Sequence, residues 1–177
     1  SESRKMADDA AVGSWVPHDR ATLGVLFYRG VELLRDQRGT EAARSLLRLA
    51  AGAYRATKML DVFPVALGFW AEAERRSGDA DRAIELAREA VGLLDGGSPS
   101  LLNEAPIFLA LHDACIDIGA LGEAKDAVAR GMPRLVLRAQ ALQSTPYTRA
   151  FLTELSPNAG LIAAADGYGL VPPELAA

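Results

Sequence analysis

The chain has 177 residues, 50% hydrophobic and 24% charged, with one cysteine; this fits a single globular domain and excludes collagen, a disordered tail and a disulfide framework. A net charge of −4 and a pI near 5.2 lack the basic field that a phosphate backbone requires, so no nucleic-acid partner is expected. Alanines (33) and leucines (25) far outnumber the 21 valines, isoleucines and threonines together, which predicts an all-α chain.

Residues 1–14 are polar and aperiodic and read as a flexible N-terminal arm, without the apolar run of a secretion signal. The longest apolar runs, such as Ala105 to Leu111 interrupted by Pro106, fall far below the roughly 20 residues that span a bilayer. No membrane partner is expected, and a cytoplasmic location is the default. The chain begins at Ser1 without an initiating methionine and reads as a piece of a longer polypeptide.

Helical patterning begins after Pro17, with Asp19 as a candidate N-cap and Leu23, Leu26, Phe27, Val31 and Leu34 recurring every three or four residues. Gly39 and Thr40 break this run. A second stripe, Ala43, Leu46, Leu47, Ala50 and Tyr54, is expected to continue towards Leu60 until Pro64 interrupts it. Residues 19–62 therefore form the first predicted helical hairpin.

The second hairpin, 64–95, carries Leu67, Trp70, Ala71 and Glu74, then the turn Ser77-Gly78-Asp79, after which Asp79 or Asp81 can cap the next helix. Its partner stripe is Ala83, Ile84, Ala87, Ala90, Val91 and Leu94, and residues 95–99 form a loop. In the third hairpin, 101–143, Phe108, Leu111, His112 and Cys115 precede a turn at Gly119 to Gly122. Ala124, Ala127, Val128 and Gly131 follow, with the helix expected to continue past Pro133 to Leu142. Two short capping helices are predicted within 146–168, and 171–177 reads as a loose tail. Residues 15–170 thus make one domain.

The three second helices align at Ala43, Ala83 and Ala124, spaced by 40 and 41 residues, and small side chains recur at Ala50, Ala90 and Gly131. Small residues at such positions let helix axes approach closely. Counting back, Phe27, Leu67 and Phe108 share one core position, and Gly30, Trp70 and Leu111 another.

In this register the chain resembles a tetratricopeptide-repeat protein, on Trp70, Ala71, Gly78, Asp79, Ala83, Ala87 and Ala90, with a third unit matching at Leu111, Gly119, Ala124 and Gly131. Spacings of 40 and 41 exceed the family's unit of about 34 residues, so longer helices or loops must absorb the excess. The degenerate pattern is similar to helical repeats that lie C-terminal in large bacterial signalling and regulatory proteins. The resemblance implies a right-handed α-solenoid of stacked hairpins with a non-catalytic, protein- or peptide-binding role and no cofactor.

The resemblance also places the inward face of the first helices. It runs through Val25, Tyr28, Glu32, Arg35 and Asp36, then Val65, Gly68, Glu72, Arg75 and Arg76, then Leu109, Asp113, Ile116 and Asp117. Mixed apolar area and charge suits a peptide, a partner helix or another domain of the same polypeptide. Arg75 and Arg76 are the expected receptors for an acidic peptide or carboxylate. Two other functions fit the same pattern: a small-molecule effector site near Trp70, Phe69 and Phe63, or self-association as a homodimer.

Candidate catalytic groups are few. His112, Asp113 and Cys115 lie within one turn, but His18 is the only other histidine, so packing is the expected role and no metal site follows. The stretch Gly96 to Ser100 lacks the preceding strand and the Gly-Lys of a phosphate loop and reads as a linker. Glu72 and Glu74 are two apart and face differently on a helix. No enzyme is expected.

Overall fold

The computed structural model describes residues 19–36, 39–97, 100, 102–142 and 147–175. The first helix, α1 (Arg20–Arg35), starts where the Asp19 carboxylate accepts the Thr22 N–H at 2.8 Å. Hydrogen bonds from Thr22 hold that carboxyl below its ordinary value, so the cap is an anion at the positive end of the helix. The arm at 1–14, Pro17 and His18 lie outside the described residues.

Helix α2 (Thr40–Ala56) is shorter than its stripe suggests. Thr57 turns its hydroxyl back to the Ala53 carbonyl at 2.8 Å, and Lys58 enters the left-handed region at φ 56, so the chain turns six residues before Pro64. Pro64 lies in the first turn of α3 (Phe63–Arg76), where a missing N–H costs nothing. Gly78, at φ 88, makes the next turn, and the Asp79 carboxylate accepts the Arg82 N–H at 3.0 Å to open α4 (Ala80–Asp95). Ser98 and Pro99 of the following loop lie outside the described residues.

Helix α5 (Ala105–Asp117) and helix α6 (Leu121–Ala141) are joined by Gly119 at φ 77, and Gly122 belongs to the first turn of α6. As expected, α6 passes through Pro133. It buries Met132, Leu135 and Ala139 around the proline, and that packing outweighs the proline's cost of about 3 kcal/mol. The two terminal helices are α7 (Thr148–Thr153) and α8 (Ser156–Gly167), followed by a 3₁₀ turn at Pro173–Leu175. The stretch 171–175 is not loose, because Val171 and Leu175 pack on the core.

The described residues form eight α-helices and no strand, so the protein is all-α. No helix is long and apolar enough to cross a membrane. Helices α1 and α2, α3 and α4, and α5 and α6 pack as sequential pairs, while α3 leans on α2 and α5 on both α3 and α4. Helix α8 lies across α5 and α6 at the end of the row. Ala43, Ala83 and Ala124 are completely buried, as are Leu47, Leu67 and Val128 from the same stripes. The approach is closest at the glycines: a Cβ on Gly30 would lie 2.8 Å from Leu47 Cγ, and one on Gly131 2.7 Å from Phe108 Cβ.

Candidate functional site

Three first helices, α1, α3 and α5, contribute to one concave surface, and the start of α8 closes its far side. Two adjoining cavities of about 290 and 180 Å³ lie there, with Val31, Arg35, Phe69, Pro106 and Pro157 common to both. Together they form an open apolar groove. Its near wall is α1 from Phe27 to Arg35, Phe69 of α3 is the floor, and Pro106, Leu109, Leu155 and Pro157 form the far wall.

The expected site residues divide sharply in this setting. Tyr28, 58% exposed, stands on the rim of the smaller cavity, and Arg35 borders both cavities. Glu72 and Arg76 line the larger one. Glu32 is exposed and pairs along its own helix with Arg29 at 3.1 Å. Asp113 is turned to His112 Nδ1 at 2.7 Å, and Asp117 to Arg75 at 3.1 Å; neither lines the groove. Val65 is buried at the base of the smaller cavity, whereas Gly68 belongs to the interior: a Cβ on Gly68 would come within 2.9 Å of the Ile107 Cα, so this position serves the α3–α5 contact. Val25 and Ile116 are exposed but line neither cavity.

Arg75 and Arg76 do not stand ready for an anion. The Glu72 carboxylate accepts from Arg75 Nε at 2.8 Å and Nη2 at 3.0 Å, and from Arg76 Nε at 2.5 Å. Arg76 Nη1 also donates to the Leu34 carbonyl in the last turn of α1 at 2.6 Å, while Arg75 Nη1 reaches Asp117 at the end of α5. Hydrogen bonds donated to Glu72 hold the Arg75 guanidinium still more firmly protonated than usual. The pair is therefore a clasp that joins the C-terminal ends of α1, α3 and α5. Arg35, by contrast, has no hydrogen-bonded or ion-paired partner among the described residues.

Of the aromatic trio proposed for a small ligand, only Phe69 lines the groove. Trp70 is buried, donates its indole N–H to Glu74 at 2.7 Å and lies under Arg82, and Phe63 is buried beneath Arg55. Cys115 is completely buried, and burial pushes its thiol above the ordinary value. His112 Nε2 faces the Tyr168 hydroxyl at 3.3 Å, so this histidine ties the segment after α8 to α5. No three His, Cys, Asp or Glu side chains among the described residues group to hold a metal ion.

A second recess of about 520 Å³ lies on the opposite face, between α4 and α6. Its rim charges are paired across it: Arg88 grips Glu123 with two bonds of 2.7 and 2.6 Å, and Arg130 meets Asp95 at 2.6 Å.

Leu155 and Pro157 of the far wall escaped the repeat pattern because they come from beyond the repeats. Asn158 carries the signal that was available, an amide at the head of the small and apolar run from Ala159 to Ala165. It is fully buried, accepts from Asn103 Nδ2 and donates to the Phe151 carbonyl at 2.7 Å, which seats the start of α8 against the entry to α5. Comparison of the chain with protein-family models, curated proteins and solved structures finds no match.

Proposed function

We propose that this chain is a non-catalytic protein-binding module of stacked tetratricopeptide-like hairpins, wound as a right-handed solenoid and serving as the regulatory part of a larger bacterial signalling protein. The packing of α3 and α5 against the hairpins that precede them supports the stacked reading, as do the buried small residues at Ala43, Ala83 and Ala124.

The observation that carries the binding role is the groove floored by Phe69, whose apolar walls border a cation with no described partner. Apolar area supplies affinity when a partner covers it, and an unpaired charge on the rim supplies orientation. The expected acidic counterpart moves from Arg75 and Arg76, which are committed to the clasp, to Arg35.

Tyr28→Glu combined with Arg35→Glu alters two exposed side chains and leaves the core intact. Affinity capture with the full chain should recover a partner that this double variant loses while keeping a native circular-dichroism spectrum. Recovery of the same partners by both forms would overturn the groove as the binding surface.

A further inference from the structure

Resting on that groove reading, we infer that the occupant is an amphipathic α-helix that sets an apolar ridge over Phe69 and a carboxylate against Arg35. The backbone chemistry of the walls selects a helix. An extended peptide leaves N–H and C=O groups facing the groove that need partners. Here α1 and α3 keep their backbone groups in their own ladders, and the far wall begins two helices with prolines, Pro106 and Pro157, which carry no N–H. Of the polar side chains at that wall, Asn103 is taken up by Asn158 and the Ala105 N–H, and the Ser156 hydroxyl is a single group, too few for the alternating partners that an extended backbone needs. A helix satisfies its own backbone and asks the groove only for apolar contact.

Charge complementarity selects its acidic character. Along the groove Arg76 is committed to Glu72 and the Leu34 carbonyl, which leaves Arg35 without a described partner. The two cavities follow α1 from Tyr28 to Arg35, seven residues or about 10 Å, the length of two turns. Apolar residues one and two turns apart on a docked helix therefore enter both cavities, with the acidic residue beside the second.

The test uses the full chain and four blocked, fluorescent peptides of about 18 residues, long enough to be helical. One carries leucines at every third and fourth position with a single glutamate flanking them. The others replace that glutamate with glutamine, replace it with lysine, or place a proline mid-peptide. Fluorescence anisotropy should show the glutamate peptide binding about fivefold tighter than the glutamine peptide, the gain from one rim ion pair. The proline peptide should lose binding, and Arg35→Glu should reverse the preference towards lysine. Equal binding of the glutamate and glutamine peptides, or undiminished binding of the proline peptide, overturns the inference. So does decanoate raising the melting temperature of the native chain but not of Arg35→Glu while no peptide binds, which assigns the groove to a small amphiphilic anion. If no peptide binds but a captured partner is still lost in the Tyr28 and Arg35 double variant, the helix inference fails and the groove reading survives. If that variant loses no partner, both fail.

Discussion

At the level of one side chain, the neighbours decide whether a charge is free or committed. Arg75 and Arg76 look in the sequence like an exposed basic pair, yet Glu72, one turn earlier, holds both, and Leu34 and Asp117 complete the clasp. The i−3 and i−4 spacing of Glu72 was legible; the contacts to α1 and α5 were not, because each spans 42 residues of chain. Tyr54 is a second case. Its place in the stripe predicted burial, and burial, reinforced by Tyr28, pushes its hydroxyl from 10.0 up to about 12. The unfolded chain ionises first, so unfolding releases a proton between these values and stability falls as pH rises through that window. Urea midpoints should therefore decline from pH 10 towards 12 in the native protein and decline less in Tyr54→Phe.

Among the helices, termini were read best where a side chain acts on its own backbone. Asp19 caps α1 as expected, and of the two candidates Asp79 and Asp81 it is Asp79 that caps α4. The end of α2 was misread because the apolar stripe runs on while Lys58 adopts a left-handed turn, a conformation that composition does not announce. Glycines show how packing can override intrinsic preference. Alanine in place of a helical glycine gains up to about 1 kcal/mol, which a tight core contact costing about 1–3 kcal/mol outweighs. At Gly131 a new Cβ would meet Phe108 at 2.7 Å and Leu161 at 3.1 Å, whereas Gly92 in α4 has no atom within 4 Å of that position. Gly131→Ala should thus lower unfolding free energy by about 1–2 kcal/mol and Gly92→Ala raise it by about 0.5–1 kcal/mol, as measured by urea denaturation.

Across the whole molecule, the second helices are linked by ion pairs, Arg55 to Glu89 and Arg88 to Glu123, while the first helices share the Glu72 clasp. The row ends at α8, held by a buried amide. Asn158→Ala removes the bonds to Asn103 and the Phe151 carbonyl and leaves buried polar groups unpaired, which costs about 1–3 kcal/mol. Amide exchange should speed up within 156–167 and leave α1 to α4 unchanged; uniform acceleration would show that α8 is not a separate clamp. Loosening α8 should also weaken binding in the groove, since Pro157 is part of its wall.

Helical class, paired helices and the buried faces follow from the sequence by itself. The apolar period and the small residues at Ala43, Ala83 and Ala124 act over one or two turns, and every helix keeps its own backbone hydrogen bonds. Only the tertiary structure decided which cations remain available and what closes the groove. Ion pairing and cavity shape depend on where distant helices meet, and no local period encodes that Asn103 bonds to Asn158, 55 residues away.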